Sequence, residues 1–178
     1  MFNYVDLDKP YRIGARRKEA IARNLIAFMD SKEDLSLDAA NFIHYWVRSD
    51  KKYKAHYDVW DLVLREYIPL TRPTLYRSCK TIAKGKIASF TGRIYCADRF
   101  KDKNGFLIIC DTFETLGNIQ TPRNDPRYIF FPLAELVKKE ADSPNSKFSK
   151  SFVDDCKKED EYIMRAELGR MYCCKWLQ

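Results

Sequence analysis

The chain changes character at residue 74, where helical patterning gives way to short apolar segments. The sequence from 74 to 92 reads TLYRSCKTIAKGKIASFTG. Within it, residues 74–79 and 87–91 are rich in β-branched and aromatic side chains and are bounded by lysines and a glycine, a pattern typical of strands. Because side chains alternate along a strand, Ser89 and Thr91 are predicted to share one face. These segments begin the β-rich part of the chain.

Three amphipathic segments precede this change, and their apolar spacing predicts helices. The segments cover residues 11–29, 37–48 and 53–67. Ser36 has the side chain of an N-cap, and Asp38 places a negative charge in the first turn, where the helix dipole favours it. Pro69 and Pro73 cannot continue a helix, so the third helix is predicted to end before the first strand begins.

The sequence after residue 92 predicts more strands than helices. Short helices are predicted from about residue 93 to residue 100 and from Leu133 to Lys139. The polar segment 142–150 contains Pro144 and predicts an exposed loop. Further strands are predicted at residues 106–110, 128–131, 162–166 and 171–176. Helices followed by strands, without a βαβ alternation, predict an α+β protein.

Length and composition set the class of protein. The chain has 178 residues, of which 46% are hydrophobic, enough for one domain with a packed core. We expect a single domain over residues 1–178, with a helical lead-in at 1–70 and a β-rich core at 71–178. No apolar run approaches the roughly 20 residues of a membrane helix, and the first residues lack the layout of a secretory signal. We therefore expect a cytoplasmic protein with no membrane partner.

The net charge and the spacing of the cysteines indicate which ligands and metals the chain could bind. The formal net charge of +7 suits an anionic ligand or partner, such as a nucleotide, a nucleic acid or an acidic protein surface. The six cysteines are irregularly spaced, form no Cys-x-x-Cys and stand far from both histidines. We therefore expect no metal site and predict reduced, mostly buried thiols.

Three short motifs carry side chains suited to chemistry on a dinucleotide. Arg77 has the planar fork of donors that binds phosphate. Ser89 and Thr91 can orient a neighbouring carboxylate. Glu159 and Glu161 are predicted to point the same way if a strand has begun there, and their repulsion raises the proton affinity of one carboxylate. Each motif by itself is more typical of an ordinary strand or a solvated charged segment than of a functional site.

The order and spacing of these motifs resemble the arginine–serine–glutamate class of ADP-ribosyltransferases, especially the short bacteriophage-encoded enzymes that modify host proteins. That class has an aromatic-Arg pair, a Ser-x-Ser/Thr strand, an Ala-x-x-Phe segment and a Glu-x-Glu at a late strand. The matching residues here are Tyr76-Arg77, Ser89 with Thr91, Ala97 with Phe100, and Glu159 with Glu161. The motifs cover residues 70–178. The sequence departs from the pattern at Ser78, where the family often has glycine, and at Thr91, where serine is usual.

The resemblance implies both a fold and an activity. The fold would be a helical N-terminal third packed on a β-rich core of two small sheets. The activity would be that of an NAD-dependent mono-ADP-ribosyltransferase that modifies arginine on a host or partner protein and releases nicotinamide. NAD would be the substrate, and the protein target is not identified by the sequence.

The resemblance also implies roles for single residues. Arg77 would bind the pyrophosphate, Ser89 would fix Glu161, and Glu161 would accept a hydrogen bond from the 2′-hydroxyl of the nicotinamide ribose. Glu159 would orient the arginine acceptor or take its proton. Further contacts to NAD would come from Ser78, Thr91 and Phe100, and contacts to the target from a loop carrying Phe152, Asp154 and Asp155.

Other functions stay open at the level of sequence. The six glycines form no Gly-x-Gly-x-x-Gly, so a hydride-transferring dehydrogenase has no support. One alternative is a basic inhibitor that binds nucleic acid, a protein or a nucleic-acid-associated complex without catalysis. Another keeps the same fold but hydrolyses NAD or transfers ADP-ribose to nucleic acid.

Overall fold

The computed structural model describes residues 12–50, 52–81, 86–112, 130–166 and 171–176. Within these ranges the chain forms six helices: α1 (Ala15–Met29), α2 (Leu37–Arg48), α3 (Lys54–Glu66), α4 (Ile94–Arg99), α5 (Leu133–Ala141) and α6 (Lys150–Glu159). It also forms six strands: β1 (Thr74–Cys79), β2 (Ile87–Thr91), β3 (Phe106–Asp111), β4 (Phe130–Phe131), β5 (Glu161–Arg165) and β6 (Tyr172–Lys175). The predicted α+β class is confirmed. The chain divides into two compact units, Met1–Val63 and Leu64–Gln178.

The three helices predicted before residue 74 are present. The predicted N-cap is confirmed, because the Ser36 hydroxyl accepts a hydrogen bond from the Ala39 N–H at 3.1 Å. Arg17 on α1 donates two hydrogen bonds to the Asp38 carboxylate on α2, at 2.7 and 3.0 Å. Both side chains are about half exposed, so this pair orients the two helices but stabilises them little. The predicted start of α1 at Tyr11 lies outside the described residues.

Aromatic side chains make the core of the first unit. Trp46 and Trp60 lie edge to face with ring centroids 5.6 Å apart, and Phe42 lies 5.2 Å from Trp60. His56 is completely buried among them, and its ring stacks on Tyr45 at 4.8 Å. Such rings bury large areas and prefer these tilted and offset arrangements.

His56 also caps α3. Its Nδ1 accepts a hydrogen bond from the Tyr53 N–H at 2.9 Å, one turn back, as in half of a capping box. The pKa of His56 is lowered to about 4, mainly by burial; the Tyr53 carbonyl acts to raise it and the positive charge of Lys52 acts to lower it. The imidazole is therefore neutral at neutral pH, with its Nδ1 as an acceptor.

The second unit is built on one antiparallel sheet with the strand order β4-β5-β2-β1-β3-β6. The prediction of two small sheets is wrong for the described strands. Strand β1 pairs with β2 on one edge and with β3 on the other, so the six strands form a single sheet. Strand β1 is paired with β3 in continuous register, from Thr74 opposite Asp111 to Cys79 opposite Phe106. Its register with β2 is a single pair, Tyr76 opposite Thr91.

The sheet has a strongly apolar face. Side chains from five neighbouring strands form its buried cluster: Leu75, Phe90, Ile108, Phe130 and Met164. On the other face, α4 packs against β1 and β2, while α5 packs against β5 and α6. The bounds of β1 and β2 agree with those predicted from the sequence.

The segment before β5 differs from the prediction. Residues 150–159, expected to be the end of a loop and the approach to a strand, form helix α6. Ser149 caps this helix by accepting a hydrogen bond from the Phe152 N–H at 3.3 Å. The apolar residues Phe152, Val153 and Cys156 are buried, and Phe152 stacks on Phe148 at 4.9 Å. The helix therefore forms because tertiary packing covers a short apolar stripe in an otherwise charged segment.

The six cysteines are all free thiols. Cys96, Cys110 and Cys156 are buried and Cys79 is partly buried, but Cys173 and Cys174 on β6 are exposed. The prediction of mostly buried thiols is thus correct for the interior strands and helices and wrong for β6. Among the described residues, no helix has the length and apolarity needed to cross a bilayer.

Candidate functional site

The strand order brings the arginine, serine and glutamate motifs onto three neighbouring strands. Arg77 lies on β1, Ser89 on β2 and Glu161 at the start of β5, which are consecutive in the sheet. The Arg77 guanidinium donates a hydrogen bond to the Ser89 carbonyl at 2.5 Å. On the next strand, Glu161 lies directly opposite Thr91. Residues far apart in the sequence therefore meet within one small region of the sheet.

Glu161 is a buried carboxylate, with 8% of its surface exposed. Its register partner is Thr91, whereas Ser89 lies opposite Ile163. Because alternate residues share a face, Ser89 is on the same face as Glu161 and diagonal to it across the strand pair. This is the arrangement in which the Ser89 hydroxyl and the Glu161 carboxylate can approach each other.

Arg77 projects from the opposite face. Arg77 lies opposite Ile108, and Ile108 belongs to the apolar cluster with Phe90. Side-chain alternation therefore places the Arg77 side chain on the apolar face, and Ser89 and Glu161 on the other. The contact of Arg77 with the backbone of Ser89, rather than with its hydroxyl, follows from this placement.

A cavity of 220 Å³ adjoins Arg77 where β1 ends and β2 begins. Its lining contains the cations Arg77, Lys80 and Lys86, and the lining residues that the structure describes include no carboxylate. Cys79 also lines it, and burial raises the pKa of this thiol while the charge of Arg77 acts to lower it. At neutral pH the cavity is thus positively charged, with an uncharged thiol in its wall.

Lys80 and Lys86 were not identified as site residues from the sequence. They directly follow β1 and precede β2, so they stand beside the segment that connects the two strands. Lysines flanking a predicted pair of strands are the signal that could have identified them, but lysine at a strand end is common on ordinary surfaces.

Glu159 does not share a strand with Glu161. The prediction that both point the same way is wrong, because Glu159 is the last residue of α6 and β5 begins at Glu161. Asp160 between them adopts a left-handed conformation, with φ 47° and ψ 56°, and so ends the helix and turns the chain into the strand. The Glu159 carboxylate is about half exposed and lies 3.8 Å from the Arg99 guanidinium.

Thr91 ties this turn to the sheet. Its hydroxyl donates to the Glu159 carbonyl at 2.6 Å and accepts a hydrogen bond from the Arg93 N–H at 3.1 Å. Gly92 is in close contact with the same turn, since its N–H donates to the Asp160 carbonyl at 3.1 Å. Thr91 therefore holds in place the junction that positions Glu161.

Ser78 has a structural partner on each side. Its hydroxyl donates to the carbonyl of Ala97 on α4 and accepts a hydrogen bond from the Trp176 indole N–H at 3.1 Å. The side chain thus joins β1 to α4 and to the end of β6. These two hydrogen bonds explain the serine at this position.

The other residues predicted to contact NAD or the target differ in their exposure to solvent. Ala97 is buried and Phe100 is 63% exposed at the end of α4, so the aromatic ring is accessible to a ligand. Phe152 is completely buried, so it cannot contact a target in this fold, and its predicted role is wrong. Asp154 and Asp155 lie on helix α6 rather than on a loop, with Asp154 exposed.

Comparisons with protein-family models, with curated proteins and with solved structures found no match to this chain. Within the described ranges, no three His, Cys, Asp or Glu side chains are grouped so that they could hold a metal ion. The case for a function therefore rests on the residues of this chain and their geometry.

Proposed function

We propose that this protein is an NAD-dependent mono-ADP-ribosyltransferase that modifies arginine on a partner protein. The observation that carries the proposal is the position of Arg77, Ser89 and Glu161 on the three consecutive strands β1, β2 and β5. Arg77 contacts the backbone of Ser89, and Glu161 is buried opposite Thr91. Glutamate and arginine are rarely buried without a pairing or binding role, and here Glu161 is buried and Arg77 is partly buried.

The positively charged cavity supports binding of the NAD pyrophosphate. Arg77 can form paired hydrogen bonds with phosphate oxygens, and Lys80 and Lys86 add positive charge at the same cavity. Arg77 and Glu161 project from opposite faces, so NAD can contact both only if β1 and β2 separate beyond their register pair, which breaks the hydrogen bond from Arg77 to the Ser89 carbonyl. These strands share a single register pair, and the cavity lies on the side where they no longer pair.

Glu161 is suited to the bond-breaking step. As the bond between nicotinamide and ribose breaks, its electron pair leaves with nicotinamide and the sugar becomes an oxocarbenium-like cation. A carboxylate that holds the ribose 2′-hydroxyl stabilises this charge, and such contacts contribute several kcal/mol in glycosidases. Burial of Glu161 strengthens the effect, since charges interact more strongly away from water.

Glu159 is the residue we assign to the acceptor. A guanidine nitrogen of the target arginine attacks the ribose carbon that nicotinamide leaves, and it then loses a proton. The half-exposed Glu159 carboxylate lies two residues from Glu161 and makes only a 3.8 Å ion pair with Arg99. Such an exposed pair is weak, so Glu159 can turn to hold the incoming guanidinium and take its proton.

The test uses substitution of Glu161 by its neutral isostere. Wild type, Glu161→Gln and the control Glu19→Gln, at an exposed residue of α1, are incubated with NAD and polyarginine. Nicotinamide release is followed by chromatography, and added ADP-ribose by mass spectrometry. We expect Glu161→Gln to lower both rates by about 100-fold or more, equivalent to a loss of about 3 kcal/mol of transition-state stabilisation, and the control to leave them unchanged.

Two outcomes would contradict the proposal. Equal rates for wild type and Glu161→Gln would remove Glu161 from the chemistry, and no nicotinamide release by wild type would remove NAD cleavage altogether. Nicotinamide release that depends on Glu161 but leaves every acceptor unlabelled, including proteins of a cell extract, would instead identify an NAD hydrolase on the same site.

A further inference from the structure

One exposed region of the second unit alternates aromatic and cationic side chains. We call it the α4 surface, and it consists of Tyr95, Arg99, Phe100, Lys101 and Trp176. Tyr95 is 59% exposed and Phe100 is 63% exposed. Large aromatic side chains left in water at a helix end and its following turn contribute nothing to the core, so they indicate an interaction site.

Each ring of the α4 surface has a cation beside it. The Arg99 guanidinium carbon lies 5.9 Å from the centre of the Phe100 ring, and the Lys101 ammonium lies 5.4 Å from the Trp176 ring. The Arg93 guanidinium donates a hydrogen bond to the Tyr95 hydroxyl at 2.8 Å. A cation next to a flat, accessible ring is the combination that holds a base by stacking and its phosphate by charge.

The Trp176 ring of this surface is held by the fold. The Trp176 indole N–H donates to the Ser78 hydroxyl, which in turn donates to the Ala97 carbonyl on α4. The Trp176 backbone N–H reaches the Gly105 carbonyl at 3.5 Å. The end of β6 and the end of α4 are therefore linked through β1, and a ligand on this surface meets a preformed site.

Cations outnumber carboxylates in the segments that make this surface. Segments 93–103 and 172–176 contain two carboxylates, Asp98 and Asp102, of which Asp102 is already paired with Lys80 at 3.3 Å. The cations of the same segments are Arg93, Arg99, Lys101, Lys103 and Lys175.

Two carboxylates at the end of α6 also face this surface. Glu159 lies 3.8 Å from Arg99, and Asp160 lies 3.8 Å from Arg93. Exposed pairs at this distance are worth little, so a phosphate can replace the carboxylate as the partner of either arginine.

We propose that the α4 surface binds single-stranded nucleic acid. Unpaired bases stack on Tyr95 and Phe100, and phosphates lie on Arg99 and Lys101. A duplex keeps its bases stacked on one another and cannot offer their faces to these rings, so single strands bind more tightly. The surface adjoins Glu159 through Arg99, but the stacking and phosphate contacts proposed here do not use Glu161, so binding does not depend on that residue.

The experiment measures anisotropy of a fluorescent oligothymidylate of about 15 nucleotides, at about 50 mM salt and above. Phe100→Leu keeps an apolar side chain but removes the ring, and we expect about tenfold weaker binding. Phe100→Tyr keeps the ring and should bind as wild type does. Lys101→Gln should make the dependence of log K on log salt less steep by about 0.7, since one phosphate contact is lost.

The controls carry equivalent changes elsewhere on the second unit. Leu70→Ala removes a side chain that is 95% exposed, and Lys138→Gln removes an exposed cation on α5, and neither should change binding. Glu161→Gln should bind as wild type does even when nicotinamide release is lost. No binding by wild type, equal binding of Phe100→Leu and Phe100→Tyr, or tighter binding of the matching duplex would each overturn the proposal.

Discussion

Protonation of His56 is expected to destabilise the first unit as the pH falls. His56 is completely buried against Tyr45, and its Nδ1 accepts the Tyr53 N–H that begins α3. A proton on Nδ1 would bury a charge and would turn this acceptor into a donor that faces another donor. Both effects favour the neutral imidazole in the folded state.

The size of the effect follows from the two pKa values. The pKa of His56 is about 4 in the folded protein, against 6.5 for the free side chain. The unfolded chain therefore binds more protons, and the stabilisation is complete above pH 6.5 and is lost between pH 6.5 and 4. At about pH 5 the loss amounts to about 2 kcal/mol relative to about pH 7.5, with each pKa unit equivalent to about 1.36 kcal/mol.

The assay compares urea unfolding of wild type and His56→Gln at these two pH values. Trp46 lies 6.3 Å from His56 and Trp60 packs on Trp46, so tryptophan fluorescence reports on the first unit once Trp176→Phe has removed the signal of the second unit from both proteins. Glutamine can still accept from the Tyr53 N–H but does not titrate. Burial also lowers the pKa of His44, and Arg48 adds to this, but His44 is present in both proteins and its effect cancels.

The expected result is that wild type loses about 2 kcal/mol more than His56→Gln between about pH 7.5 and pH 5. An NMR titration of the wild-type imidazole gives the folded pKa directly, without any variant. Equal losses in the two proteins, together with an imidazole that titrates near its ordinary pKa, would refute the buried neutral His56.

Three further tests use substitutions in the second unit. Arg77→Lys should raise the KM for NAD about tenfold with little change in kcat, because lysine cannot form the paired phosphate contacts of arginine; an unchanged KM in steady-state kinetics would remove Arg77 from the pyrophosphate site. Phe152→Ala should cost about 3–5 kcal/mol in urea unfolding, while Asp154→Asn on the exposed side of the same helix should change stability by less than about 0.5 kcal/mol. Asp160→Ala should be about 1 kcal/mol less stable than Asp160→Gly, because glycine adopts the left-handed conformation without strain; the reverse order would contradict the αL turn before Glu161.

Much of the secondary structure could be predicted because local patterns act over a few residues. The residues of β1 and β2 were predicted with the bounds that the structure has, and the cap at Ser36 is present. Helix α6 was missed because its apolar residues, Phe152, Val153 and Cys156, are few among charged neighbours. That helix is stabilised by burial against the rest of the second unit, which no local pattern reveals.

The candidate site, too, could be predicted only in part from the sequence. The sequence by itself indicated Arg77, Ser89, Thr91 and Glu161 as candidate site residues, because side-chain chemistry and motif spacing can be read directly from the residues, and their roles stay predictions. It could not reveal the cavity cations Lys80 and Lys86, since a lysine at the end of a strand has no distinctive local signal.

The chemical types, the strand segments and the helical first third were determined by the sequence alone, because propensity, capping and periodicity are local properties. Only the tertiary structure decided that β1 lies between β2 and β3, that Glu159 ends a helix, and that Arg77 and Glu161 leave the sheet on opposite faces. Strand pairing and register join residues that are distant in the chain. They depend on which apolar faces can be buried together, and that is a property of the whole fold.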